Sequence, residues 1–195
     1  NNVDPLEIEI KDFDCGKYTG IIIDGKREKN GIMEYTNGSR YEGQWKNDQK
    51  NGKGIFISYN YDRGRKINGL RYEGEFRNDK IEGCGIGVYT NGDRYEGEWR
   101  DNKQFGRGVV HYRTGGKYDG EWKKGRFNGY GIYYLRNGEK YEGKFINSKL
   151  NGYGKYYHIN GEVLEGIFNN DHPTGNCILH KPDGTTERRN FAVYL

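Results

Sequence analysis

Along most of the chain, polar and apolar residues alternate in short runs and do not follow a helical period. The run Tyr95-Glu96-Gly97-Glu98-Trp99-Arg100 puts an aromatic, a glycine and an indole on one side of a pleat and charged residues on the other. That is the period-two pattern of a half-exposed strand. Aromatic-x-Gly triplets begin at Tyr18, Tyr41, Tyr72, Tyr95, Tyr118 and Tyr141, and Leu164 opens a seventh with the tyrosine replaced. Successive starts lie 23 residues apart except after Tyr41, where the interval is 31 and eight additional residues fall within 59–70. Four residues after each start stands Ile22 or one of the bulky rings Trp45, Phe76, Trp99, Trp122, Phe145 and Phe168, to which we assign a structural role.

Each first strand is followed by a polar stretch such as Asn47-Asp48-Gln49-Lys50-Asn51, whose residues tolerate tight turns. A Gly-x-Gly then leads into a β-branched or aromatic run such as Ile132-Tyr133-Tyr134, which reads as a second strand. Asn-Gly closes many repeats, at Asn37-Gly38, Asn68-Gly69, Asn91-Gly92, Asn137-Gly138 and Asn160-Gly161. It predicts a hairpin turn in which both residues take positive φ.

A glycine inside a strand costs conformational entropy, so its recurrence needs a reason such as close approach of another group. The indole or phenyl ring of the first strand is expected to lie across the bare backbone of a neighbouring Gly-x-Gly. A two-stranded repeat cannot bury such a face alone, so repeats must stack and stability becomes a sum of neighbour contacts. The expected fold is all-β, an elongated single-layer antiparallel sheet of stacked β-hairpin repeats. At two strands per repeat and about 4.8 Å per strand, seven repeats would extend about 67 Å. Residues 1–17 are expected to supply a capping strand through Leu6-Glu7-Ile8-Glu9-Ile10, 18–186 the array, and 187–195 a second cap or the start of a further segment, through Phe191-Ala192-Val193-Tyr194-Leu195. The first repeat departs from the pattern at Lys29, which stands for a glycine, and the last at Leu164 and Cys177.

A 23-residue unit of the form Tyr-Glu-Gly-x-Trp, turn, Gly-x-Gly, Asn-Gly resembles the MORN (membrane occupation and recognition nexus) repeat. Tyr95-Glu96-Gly97-Glu98-Trp99 with Gly106 and Gly108, and Tyr118-Asp119-Gly120-Glu121-Trp122 with Gly129 and Gly131, carry the likeness. The resemblance implies stacked antiparallel hairpins forming a MORN-repeat rod. It also implies a scaffold or adaptor that organises cytoskeletal or membrane-associated assemblies. Some relatives join the array to a lipid kinase, an exchange factor or a lysine methyltransferase, so a regulatory array of a larger enzyme is one alternative. A peripheral membrane module that binds acidic phospholipid is another.

Composition agrees with a thin fold. Only 32% of residues are hydrophobic, below the roughly 45–50% of an ordinary layered domain, yet aromatics make up 15%, which excludes an ordinary disordered chain. No run of 18 apolar residues and no secretory signal is seen, so the chain reads as soluble and cytoplasmic, at the cytoskeleton or the cytoplasmic face of a membrane. It starts Asn1-Asn2 without an initiator Met, as a fragment would. Cys15, Cys84 and Cys177 are odd in number and far apart, which points to a reducing compartment and away from a zinc knuckle; Cys84, between two glycines, reads as a small filler. The net charge of +4 is of mixed distribution and predicts no nucleic-acid partner.

Catalytic chemistry is not expected. His111, His158, His172 and His180 read as scattered among the repeats without ligand spacing, and Gly-x-Gly leads into strand rather than into a helix that would bind phosphate. No metal or cofactor is predicted. Glu42, Glu73, Glu96, Asp119, Glu142 and Glu165 read as a solvated ladder interleaved with Lys and Arg, and Asn37-Gly38-Ser39 as a turn rather than a glycosylation site. Two functional candidates remain. The aromatic series Phe56, Tyr89, Tyr112, Tyr133, Tyr134, Tyr156 and Tyr157 would line one or other face of the sheet, either packing on adjacent rings or anchoring a helical or extended partner segment, or a second copy. The basic residues Arg63, Arg65, Lys66, Lys123, Lys124 and Arg126, and the terminal pair Arg188 and Arg189, suit a solvated surface or acidic lipid headgroups.

Overall fold

The structure is a computed structural model that describes residues 7–62 and 65–192, with the backbone alone at 60–62 and 65–68. Every regular element among these residues is a strand, and the chain divides into two compact units, Asn1–Asn102 and Lys103–Leu195. The first holds β1 (Ile8–Phe13), β2 (Gly16–Ile23), β3 (Lys26–Tyr35), β4 (Arg40–Lys46), β5 (Gln49–Asp62), β6 (Arg65–Arg77), β7 (Lys80–Val88) and β8 (Arg94–Arg100). The second holds β9 (Lys103–His111), β10 (Lys117–Lys123), β11 (Arg126–Tyr134), β12 (Lys140–Ile146), β13 (Lys149–Tyr157), β14 (Val163–Asn169), β15 (His172–His180) and β16 (Thr186–Phe191). Within each unit every strand pairs antiparallel with its neighbour in sequence. The N-terminal strand starts later than expected, at Ile8 rather than Leu6, which lies outside the described residues. The C-terminal strand is centred on Thr186–Phe191, ahead of the predicted 191–195, of which 193–195 lie outside.

Facing strands bring glycine opposite glycine, as in Gly43 with Gly31 and Gly54, or Gly120 with Gly108 and Gly131. What covers them is the leading tyrosine, not the indole anticipated from the sequence. A Cβ on Gly54 would stand 2.6 Å from the Tyr41 ring, and one on Gly131 2.4 Å from the Tyr118 hydroxyl. The phenol runs along its own strand over the glycine two residues on and donates to the next carbonyl: Tyr41 Oη to Gln44 O at 2.8 Å, Tyr95 to Glu98 at 2.8 Å and Tyr118 to Glu121 at 3.0 Å. In repeats one to five these tyrosines are fully buried at 0% exposure, so a bond that satisfies their hydroxyl is obligatory. The indole has a different task. Its Nε1–H donates to the carbonyl of the second glycine in the preceding strand, Trp45 to Gly31 at 3.2 Å, Trp99 to Gly85 at 3.1 Å and Trp122 to Gly108 at 2.9 Å.

The rings interlock edge to face. In the first unit Tyr18, Trp45, Tyr41, Phe76, Tyr72, Trp99 and Tyr95 form a zigzag with centroids 5.0–5.5 Å apart. Each such pair contributes about 0.5–1.5 kcal/mol beyond area burial. All six predicted structural rings are buried. Where the tyrosine is displaced or missing, a side chain from the second strand fills the space. Leu150 does so above Gly143 in the sixth repeat, and Cys177 above Gly166 in the seventh.

The turns also differ from expectation. Two-residue turns with positive φ at both positions are formed by Asn47-Asp48, Asn78-Asp79, Asp101-Asn102, Asn147-Ser148 and Asn170-Asp171. At Asn-Gly only the glycine is left-handed (Gly38 φ 81°), and the Asn37 side chain instead accepts from Ser39 N–H at 2.9 Å. Asn68-Gly69 is no turn at all. The insertion lengthens β5 and β6, which pair from Asp62 with Arg65 inwards, so that dipeptide lies inside a strand. The second residue of the tight turns clamps the preceding repeat: Asp79 N–H donates to Lys50 O while its carboxylate accepts from Lys50 N–H at 3.0 Å, and Asn102 with Ile81, Ser148 with Phe127 and Asp171 with Leu150 repeat the pattern.

Trp99→Ala removes an indole that is 4% exposed, leaving both a cavity and an unmet glycine carbonyl. Thermal or urea unfolding should show a loss of about 3–5 kcal/mol. An unchanged midpoint would contradict this packing.

Candidate partner-binding face

Most of the ring-bearing side of each unit is taken up by its own core, with a hollow of about 460 Å³ left in the second unit among Tyr141, Tyr156, Leu164, Phe168 and Leu179, and among the described residues nothing packs on the opposite side. On that open side, side chains line up in rows across the strands, because glycine-to-glycine pairing fixes the register. In the second unit one row reads His111, Lys117, Tyr134, Lys140, Tyr157, Val163 and His180, each directly opposite the next. A parallel row, two residues along each strand, reads Val109, Asp119, Ile132, Glu142, Lys155, Glu165 and Ile178. Histidine and tyrosine therefore occupy one position of successive repeats, 23 residues apart. His111 and His180 are not scattered, as the sequence suggested; they stand where Tyr134 and Tyr157 stand. His158 and His172 lie elsewhere.

Lysines lie over the rings, Lys117 Nζ 4.5 Å from the Tyr134 centroid and Lys140 Nζ 4.0 Å from that of Tyr157. Beside them Glu142 accepts from Tyr130 Oη at 2.6 Å and from Tyr157 Oη at 3.0 Å. Glu165 accepts from Tyr153 and lies 3.3 Å from Lys155 Nζ and 2.9 Å from His180 Nε2. These bonds restrain the hydroxyls of Tyr130, Tyr153 and Tyr157. The Tyr130 hydrogen bond stabilises ionised Glu142 and lowers its pKa, while the same bond pushes the Tyr130 phenol up to about 12. Tyr130 and Tyr153 remain 54% and 56% exposed, large for aromatic side chains. Neither figured among the sequence candidates. They occupy the x of Gly-x-Gly, a position that reads as a spacer unless facing is known.

Five of the seven predicted aromatics divide between the two faces, and two lie in turns. Tyr134 and Tyr157 belong to the open face. Phe56 stands opposite Tyr41 and Tyr72 on the core face, and Tyr133 opposite Tyr118 and Tyr141; both are half-buried against other rings, Phe56 with Tyr35 and Tyr133 with Tyr112 and Phe127. Tyr156 packs on Tyr141 at 4.3 Å and on His158 at 4.4 Å, with its hydroxyl on Glu139. Tyr89 and Tyr112 follow β7 and β9 in the turns, their amides donating to Asp93 O and Gly116 O.

In the first unit the open face carries no such ring row among the described residues. There Ile32, Glu42, Ile55, Glu73, Ile86 and Glu96 alternate across the strands, and a groove of about 770 Å³ runs over them, with exposed Cys84 at its wall. The acidic ladder is thus interleaved with aliphatic residues, and its basic partners, Arg40, Arg71 and Arg94, sit one row away at 2.8–2.9 Å. Of the predicted basic residues, Lys123, Lys124 and Arg126 surround the β10–β11 turn, exposed, beside a shallow hollow of about 380 Å³ with Asn128 and Asn147. Arg188 faces Ile178 and Arg189 faces Cys177 from β16, both exposed, and Arg189 lies 3.2 Å from Glu187. Arg63 and the side chains of Arg65 and Lys66 lie outside the described residues. Among the described residues no cluster of His, Cys, Asp and Glu is arranged to hold a metal ion.

Comparison with known proteins identifies the repeat. The MORN repeat profile matches residues 18–40, 41–63, 72–94, 95–117, 118–140, 141–163 and 165–186. The chain belongs to the MORN-repeat family. No curated protein matches it. Among solved structures this MORN array is similar to the TCP domain of SAS-4 (dCPAP) of Drosophila melanogaster, determined in complex with a proline-rich motif of Ana2 (dSTIL): the TM-score is 0.51 at 15% identity, over 83% of this chain and 84% of that one. A streptogramin B lyase (TM-score 0.18, 11% identity, 100% and 86% coverage) and the Staphylococcus aureus virginiamycin B lyase (0.19, 12%, 95% and 84%) also match, at scores too low to bear on the fold.

The Tyr130 hydroxyl provides a check on the open face. In an alkaline absorbance titration, the difference between wild type and Tyr130→Phe should show a phenol ionising near pH 12, above the ordinary value of about 10. Glu142→Gln removes the charge that opposes ionisation and should move it back down. A Tyr130 that ionises near its ordinary value in both backgrounds would rule out the hydrogen bond.

Proposed function

We propose that the chain is a non-catalytic scaffold whose open face, in the second unit, receives a segment of a partner protein. The observation that carries this is the group of tyrosines Tyr130, Tyr134, Tyr153 and Tyr157 on a side against which nothing packs among the described residues. Rigid, amphipathic rings with few rotatable bonds lose little entropy on contact and anchor protein interfaces. A TCP domain of similar fold, seen with a proline-rich motif of its partner, supports a single-layer sheet as a platform for a peptide. The three free cysteines support a reducing, cytoplasmic setting, at the cytoskeleton or a membrane's inner face. The exposed cations Lys123, Lys124 and Arg126 favour a second reading, contact with acidic headgroups, in which each cation near the surface contributes about 1 kcal/mol.

Selection of a displayed library of random sixteen-residue peptides on the intact chain tests the first reading. Enriched peptides should bind wild type at least about tenfold more tightly than a Tyr130→Ser/Tyr153→Ser variant, about 1.4 kcal/mol or more. Failure to enrich any peptide, or equal affinity for the variant, would count against it.

A further inference from the structure

The spacing of the ring row points to one kind of segment, and this step rests on the open-face reading above. His111, Tyr134, Tyr157 and His180 stand on β9, β11, β13 and β15, every second strand. Rings on alternate strands lie about 9.6 Å apart. A polyproline II helix advances about 3.1 Å per residue with three residues per turn, so side chains three apart recur on one side every 9.3 Å or so. A segment in that conformation, laid across the strands, sets every third residue over a ring without distortion. A β-strand, with side chains on one side about 6.8 Å apart, falls out of step by the second ring, and an α-helix, whose two turns cover about 10.8 Å, drifts by about 1.2 Å at each ring.

Chemistry at the row agrees. A proline-rich chain lacks many N–H donors and leaves its carbonyls free, so it wants donors and flat apolar surfaces from its receptor. Lys117 and Lys140, 34% and 30% exposed, place Nζ over the Tyr134 and Tyr157 rings and bring N–H groups to this row, beside the exposed remainder of each ring. In the neighbouring row Asp119, Glu142 and Glu165 each lie within 4 Å of a lysine, Lys117 at 3.9 Å, Lys140 at 3.7 Å and Lys155 at 3.3 Å, so the two rows together are balanced in charge. We infer that the open face of the second unit binds a proline-rich protein segment in the polyproline II conformation, with proline at every third position.

A fluorescein-labelled peptide of four Pro-Lys-Ala triplets, titrated against the intact chain by anisotropy, tests this. Saturable binding is expected. At least tenfold weaker binding is expected when the prolines are replaced by alanine, or when they are respaced to every fourth position. Tyr134→Leu/Tyr157→Leu should weaken the complex at least tenfold, whereas Tyr134→Phe/Tyr157→Phe, which keeps the rings, should hold it within about threefold; circular dichroism checks that both variants fold. Absence of binding at millimolar peptide, indifference to proline spacing, or equal binding by the leucine variant would overturn the inference. Library peptides that need Tyr130 and Tyr153 but lack proline at period three would also overturn it while leaving the open face as a docking surface.

Discussion

A phenol lying flat over two facing glycines is the constraint from which the rest of the architecture follows. The ring needs bare backbone on its own strand and on the next, and its hydroxyl needs the carbonyl one residue beyond, where the strand register shifts. These demands fix a tyrosine, a glycine two residues on and a glycine across the pair. An overlying tryptophan or phenylalanine two residues further closes the core and reaches into the neighbouring repeat. Because Tyr41, Tyr72 and Tyr118 each touch the large ring of their own repeat and that of the next, burial passes between repeats within each unit, as stability does in other linear arrays. The exceptions obey the same rule. In the seventh repeat Leu164 replaces tyrosine and Cys177 replaces glycine, and the thiol takes the volume that the phenol would have filled.

Spending one face on this core determines where function lies. A single layer of sheet has two sides, and the turn clamps and ring contacts engage only one of them together with the repeat ends. The open side is free to vary, and in the two units it has done so differently: alternating acid and aliphatic rows in the first, a tyrosine and histidine row with lysines between in the second. The carboxylates Glu142 and Glu165 of the second unit bond Tyr130, Tyr153, Tyr157 and His180, which restrains these exposed and half-exposed rings.

Much of the fold was legible in the sequence because period-two alternation and a fixed repeat length speak to backbone geometry directly. The strands, their antiparallel succession and the buried rings could be read from Tyr-x-Gly-x-Trp alone. Assigning the cover over the glycines to Trp45 or Trp99 rather than to Tyr41 or Tyr72 needed the direction in which a side chain leans along its strand, which spacing does not encode. Asn-Gly misled for a related reason: at Asn37 the side chain caps the turn and only glycine goes left-handed, while Asn47-Asp48, a weaker signal, adopts two positive φ values. The open-face site was hidden further still. Tyr130 and Tyr153 look like spacers between glycines, and His111 joins Tyr134 only when repeats are superimposed by register.

The seventh repeat shows how to test the central interaction in the fifth. Gly131→Cys alone should be strongly destabilising, since its Cβ would meet the Tyr118 hydroxyl at 2.4 Å, and Tyr118→Leu alone should leave a void. Together they recreate the Leu164 and Cys177 pairing. Urea unfolding of all four proteins under reducing conditions should give a favourable coupling of about 1–3 kcal/mol, the double variant being more stable than Gly131→Cys. Additive losses, with no coupling, would contradict the account.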